Sequence, residues 1–108
     1  MKKITVVSVK VGEKPNVLTV DADLESYHKL VGGWIETVRV AEDILMIVNE
    51  EGMIRDLPLN FVTFAGQQPV HQIHGNVFFV GVAGSDFVSL DKEQINRVRQ
   101  MFRFDRNA

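Results

Sequence analysis

Cysteine is absent from the 108 residues of the chain. This absence excludes disulfide bonds, thiolate metal sites and cysteine nucleophiles, and it fits a reducing cytosol. Long apolar runs are also absent, since no segment reaches the ~18 uninterrupted apolar residues of a membrane-spanning helix. The apolar run after Lys3 is broken by Ser8 and Lys10 and lacks the cleavage-like end of a signal peptide. We therefore expect a cytoplasmic protein with no membrane partner.

An excess of positive charge is lacking too, because the formal net charge is −2. General nucleic-acid binders carry a basic excess, so nucleic acid is not an expected partner. The C-terminal part is locally basic, and we interpret its arginines as the solvated face of a helix. These arginines are Arg97, Arg99, Arg103 and Arg106.

Signatures of catalysis are missing as well. The chain has no Gly-x-Ser-x-Gly elbow, phosphate-binding P-loop, dinucleotide fingerprint or His-Glu-x-x-His motif. His71 and His74 have the spacing of a zinc pair on a helix, but their segment favours an extended conformation and no further ligand is indicated. We therefore expect no catalytic residue, no cofactor and no metal. A hydrolase that uses Glu36 with the histidines is the weakest hypothesis.

Length and an apolar content of 45% indicate one domain over residues 1–108. Caps at Asp23 and Asp91 predict two helices, the first of which ends at Gly32. β-Branched runs bounded by turn residues predict strands over 3–11, 17–20, 34–40, 44–48, 76–83 and 87–89. The weak pattern of 53–75 predicts a loop with short extended pieces. The predicted fold class is α+β, a mostly antiparallel sheet with two helices in the order β-β-α-β-β-loop-β-β-α.

The stretch KLVGGWIET, residues 29–37, joins the first helix to the third strand. Gly32 is explained as the helix cap, whereas Gly33 indicates a close backbone approach to a ligand or another part of the chain. Trp34, the only tryptophan, is predicted to lie in the core, with stacking on a flat ligand as the alternative. Strand alternation puts Glu36 on an apolar face. It is therefore either a buried carboxylate of a functional site or a residue at a solvated edge.

Several of these segments resemble one known family. They are VGGWIE at 31–36, NEEG at 49–52, LPLN at 57–60, and the segments 73–78 and 86–90. They are similar, in this order, to elements of domain-of-unknown-function family 3846, although Leu59 stands where that family tends to have a second proline. The resemblance implies an accessory protein of a bacteriophage or bacterial mobile element that acts in the cytoplasm of the host cell.

Two functional hypotheses remain open. The first is a non-catalytic protein that sequesters a small anionic ligand, such as a cyclic nucleotide defence signal. An arginine would pair with phosphate and Trp34 would stack on a base. The predicted ligand-binding residues are Gly33, Trp34, Glu36, Arg39, Asn49, Arg55 and Asn60. The alternative is a protein-interaction module that inhibits a host defence or transcription component. Exposed strand edges and a small core also predict a homo-oligomer.

Overall fold

Eight strands and two helices make up the part of the chain that the computed structural model describes, residues 2–102. The elements are β1 Lys3–Val9, β2 Asn16–Asp21, α1 Leu24–Val31, β3 Ile35–Ala41, β4 Ile44–Asn49, β5 Leu59–Ala65, β6 Gln68–His74, β7 Val77–Ala83, β8 Asp86–Val88 and α2 Lys92–Gln100. All strand pairs are antiparallel, so the predicted α+β class is confirmed. No helix within residues 2–102 is long and apolar enough to cross a membrane.

The main sheet has six strands in the order β2-β1-β7-β4-β3, with β8 also paired to β7. β4 lies between β7 and β3 and is buried along its whole length, which confirms the strand predicted over 44–48. On the side of β7 that faces away from β4, the two halves of the strand pair with different partners. Its first half pairs with β1, and its second half pairs with β8, which continues the line of β1. The outer strands β2 and β3 form the edges of this sheet.

Both helices begin at the predicted caps. The Asp23 carboxylate accepts a hydrogen bond of 2.8 Å from the Ser26 backbone N–H, and α1 ends at Gly32 with a φ of 79°. Before α2, the Asp91 carboxylate accepts from the Gln94 N–H at 2.9 Å, while the Gln94 side chain accepts from the Asp91 N–H at 2.8 Å. These bonds satisfy backbone donors that the first helical turn leaves free.

The main sheet is covered on both faces. α1 covers one face, where the Tyr27 ring lies 5.6 Å from the Phe78 ring in a layer with Val6 and Ile47. On the other face, Phe79 lies in a second core layer that includes residues of α2. The residues of that layer are Val7, Val9, Ile44, Met46, Val48, Ile73, Val77, Phe79, Leu90, Val98 and Phe102.

An ion pair fixes α2 to the β3–β4 turn. Arg97 donates to both carboxylate oxygens of Asp43, at 2.7 and 3.3 Å, and Gln94 donates to one of them at 2.9 Å. The hydrogen bonds from Arg97 hold the pKa of the Asp43 carboxyl below its ordinary value, and Gln94 adds to the effect. The predicted solvated basic face is therefore partly paired. Arg103 and Arg106 of that prediction lie outside the described residues.

The extended pieces predicted within 53–75 are confirmed, but they belong to two longer strands and not to a loop. β5 and β6 form a hairpin that is a separate two-stranded sheet. Two register shifts interrupt its alternation, and among the residues of β6 only Ile73 is buried. An irregular and mostly solvated hairpin gives little binary pattern, which explains why the sequence predicted only short extended pieces and not their pairing.

Candidate functional site

Gly33 is required by a close approach within the protein itself. A Cβ atom at this position would lie 3.0 Å from the Asn49 side-chain nitrogen and 3.4 Å from the Arg55 guanidinium. Asn49 is 5% exposed; its amide donates to the Val31 carbonyl at 3.1 Å and accepts from the Glu51 N–H at 2.8 Å. Asn49 thus fixes the end of α1 to the turn after β4, and Gly33 leaves room for it.

Trp34 is not a core residue, so that prediction is wrong. The side chain is 63% exposed, and its ring meets the His28 ring edge to face at 4.8 Å between centroids. β3 begins one residue later, at Ile35, and Ile35 packs against the core layer under α1. The core layer on this strand therefore begins only at Ile35, and the Trp34 carbonyl accepts from the Glu50 N–H at 2.8 Å.

Glu36 lies on the predicted face, but this face is solvated at its position. It stands opposite Val48 and shares a side of β3 with Val38, yet it is exposed because β3 is an edge strand. The alternative of a solvated edge is therefore correct, and the buried carboxylate is not. Edge strands frequently carry such charges on an otherwise apolar face.

A groove of about 340 Å³ opens beside Glu36. Val38, Val48 and Ile73 form its apolar floor, with Val48 and Ile73 both buried. The remaining lining residues come from β3, β4, the following turn and β6, and they are Glu36, Asn49, Glu50, Gly52, Met53, Ile54, His71, Gln72 and His74. We call this the β3–β6 groove. Its rim combines two exposed carboxylates with imidazole rings and exposed apolar side chains.

The structure brings together only part of the predicted site. Gly33, Trp34, Glu36, Asn49 and Arg55 lie at or beside one end of the β3–β6 groove. The Arg55 guanidinium approaches the Gly32 carbonyl at 3.5 Å, next to Gly33.

Two predicted residues lie elsewhere. Arg39 turns to the β3–β4 connection and donates to the carbonyls of Ala41 and Glu42. Asn60 donates to the carbonyls of Val9 and Gly75 at 2.8 and 2.9 Å, and it lines a different hollow. Both side chains therefore satisfy backbone carbonyls, which is a structural role.

The contribution of β6 and of the turn after β4 was missed by sequence reasoning. Met53 and Ile54 are 66% and 84% exposed, and the His74 ring is fixed by a 2.8 Å hydrogen bond to the Leu57 carbonyl. One signal was present, namely Gly52. A Cβ there would lie 2.8 Å from the His74 carbonyl oxygen, so only glycine lets the turn lie against β6.

Metal chemistry has no support from side-chain clustering in the described part of the chain. No group of three or more histidine, cysteine or acidic residues that could hold a metal ion occurs within 2–102. His71 and His74 both line the groove, but their strand separates them along an extended backbone.

Comparison with known proteins gives one match. A family described as Domain of unknown function (DUF3846) matches residues 2–103. No curated protein and no solved structure matches the chain. Since the family match covers nearly the whole sequence, the chain belongs to the DUF3846 family, whose function is unknown.

Proposed function

We propose that this chain is a non-catalytic protein-interaction module that captures a segment of a partner protein in the β3–β6 groove. The observation that supports the proposal is the composition of the groove. The buried side chains of Val48 and Ile73 form its apolar floor with Val38, and Met53 and Ile54 beside them are exposed. Exposed apolar surface next to a concave site is typical of binding surfaces.

Charge and shape together favour one kind of segment. Glu36 and Glu50 give the rim two negative charges, which attract Lys or Arg side chains. β3 ends the strand order of the main sheet, so its outer backbone groups are open to an added strand. The expected occupant is therefore an extended segment that alternates apolar and basic side chains.

The biological setting is part of the proposal and rests on the family resemblance alone. The chain is taken to be an accessory protein of a phage or mobile element in the cytoplasm of its bacterial host. Its partner would be a defence or transcription protein of that host. We also propose a homo-oligomer in which two copies pair through the open edges of β2 or β3.

A displayed library of random peptides tests the capture of a segment. Selected peptides should carry apolar and basic residues, and their affinity, measured by fluorescence polarisation, should fall with added salt. Glu36→Lys should weaken binding about tenfold, through loss of one charge contact and gain of a repulsive one. Glu25→Lys on the exposed face of α1 is the matched control. Failure to select any peptide, or equal loss in both variants, would refute the proposal.

Sequestration of a small anionic ligand is kept as a second candidate because of one local arrangement. The Arg55 guanidinium lies beside Gly33, and the indole of the neighbouring Trp34 is 63% exposed. A guanidinium and an aromatic face suit the phosphate and the base of a nucleotide. Calorimetry with cyclic dinucleotides should then give saturable heats that Arg55→Ala and Trp34→Ala each reduce. An absence of heat at micromolar protein would exclude this candidate.

A further inference from the structure

The β1–β2 hairpin contains a small hollow whose chemistry differs from that of the β3–β6 groove. The hollow measures about 70 Å³. One water takes about 30 Å³ of liquid volume, so there is room for about two waters or one group of the size of a phosphate. It is lined by Ser8, Lys10, Glu13, Lys14, Asn16 and Leu18.

Ser8 is the unusual residue of this hollow. It is 3% exposed, and its hydroxyl oxygen is buried with no hydrogen-bond partner among the described residues. Strand alternation puts Ser8 on the same face of β1 as the buried Ile4 and Val6. An apolar side chain would continue that core layer without leaving a polar atom unsatisfied. The Ser8 hydroxyl is therefore available to bond with a group that enters the hollow.

The charges around Ser8 identify the kind of partner. Lys10 and Lys14 form no ion pair with any residue between 2 and 102. Glu13 is the one carboxylate in the lining, so two cations face one anion. Asn16 stands directly opposite Ser8 on β2, where its amide is a further donor.

We propose that the hollow formed by Ser8, Lys10, Lys14 and Asn16 binds the phosphate group of a small phosphorylated ligand. The two ammonium groups neutralise the phosphate, and the Ser8 hydroxyl donates to one of its oxygens after the flexible lysine stems move aside. This site is separate from the β3–β6 groove and does not depend on the function proposed for it.

A neighbouring hollow provides space for the rest of such a ligand. It measures about 470 Å³ and shares Lys10 with the phosphate hollow. Its lining also includes Lys3 and Lys29, but both are engaged with acidic residues, at 2.8 and 3.8 Å. Ser26 and Asn76 add uncharged polar groups. A ligand larger than inorganic phosphate, such as a nucleotide, would extend from Lys10 into this space.

The experiment is an NMR titration of the full chain in two arms, one with inorganic phosphate and one with a nucleoside monophosphate. Saturable shifts of the Ser8, Lys10 and Asn16 amides are expected in both arms, and tighter binding in the second arm would show that the wider hollow is used. Combined Lys10→Gln and Lys14→Gln should weaken binding about tenfold or more, and Ser8→Ala several-fold. Lys92→Gln on α2 should leave the affinity unchanged.

Three results would overturn this inference. They are shifts that do not saturate, a loss in Lys92→Gln equal to that in the double variant, and wild-type affinity in Ser8→Ala. Ser8→Thr keeps the hydroxyl and should retain binding, so it separates the role of the hydroxyl from packing. Thermal melting gives a second readout, because phosphate should raise the melting temperature of the wild type more than that of Ser8→Ala.

Discussion

Gly33 and Asn49 are predicted to be coupled energetically, and the size of the coupling follows from their contact. Alanine at 33 would place a Cβ 3.0 Å from the Asn49 side-chain nitrogen. The Asn49 amide cannot easily move away, because its nitrogen donates to Val31 and its oxygen accepts from Glu51. The φ of Gly33 lies outside the left-handed region, so the substitution adds no backbone strain. Overpacking of this kind costs about 1–3 kcal/mol.

Asn49→Ala removes the obstacle together with two hydrogen bonds of the buried Asn49 side chain. Each bond contributes about 0.5–1.5 kcal/mol, so this variant alone should lose about 1–3 kcal/mol. Gly33→Ala made in the Asn49→Ala background should then cost almost nothing. The two substitutions are therefore expected to be non-additive, with a coupling of about 1–3 kcal/mol.

Urea unfolding of the four proteins of the cycle measures this coupling. With a slope of about 1–3 kcal/mol per molar urea, a coupling of about 1.5 kcal/mol moves the midpoint by about 0.5–1.5 M. Gly12→Ala is the control, because Gly12 has a φ of 78° and open space around its Cβ position. Its cost comes from the left-handed backbone and should be the same with and without Asn49. Additivity of Gly33→Ala and Asn49→Ala within about 0.5 kcal/mol would refute the reasoning.

Three further predictions concern the fold. Phe78→Ala should cost about 3–5 kcal/mol in urea unfolding, whereas Phe64→Ala, at a 60% exposed position, should change stability by less than about 0.5 kcal/mol. The pKa of Asp43 is lower in the folded state than in the unfolded chain. Its stabilising effect is therefore present at neutral pH and is lost as the pH falls through the ordinary aspartate range and below it. The melting temperature of Asp43→Asn should depend less on acidic pH than that of the wild type. Asp91→Ala removes a helix cap and should lower the free energy of unfolding by about 1 kcal/mol in chemical denaturation. Asp91→Ser keeps a capping side chain and should show no such loss.

Local signals in the sequence predicted most of the main sheet and both helices. The cap residues Asp23, Gly32 and Asp91 and the apolar run of β4 act over a few neighbouring residues, so their effects could be read directly. The strands of the β5–β6 hairpin were predicted only as short extended pieces, because register shifts and solvated side chains hide their alternation.

The candidate site was predicted less completely because it depends on which strand lies at the edge. Glu36 is exposed only because β3 ends the sheet order, and no local pattern contains that fact. Likewise, Met53 and His74 are far apart in the chain and meet only after the hairpin has packed against the turn. Arg39 and Asn60 have side chains that suit ligand binding, which is why the sequence predicts them as site residues. In the fold, their donor groups bind nearby backbone carbonyls instead.

The strand order also has a consequence for how the protein is made. Val7 of β1 pairs with Phe79 of β7, so the first strand meets its inner neighbour only after most of the chain has been synthesised. Until β7 leaves the ribosome, β1 and β4 lack the strand that lies between them in the finished sheet, so the apolar side chains of β4 stay uncovered on that side. Such non-local pairing is typical of domains that fold in milliseconds to seconds rather than microseconds. During synthesis the nascent chain is therefore open to aggregation and to chaperones for longer than a helical protein of equal length.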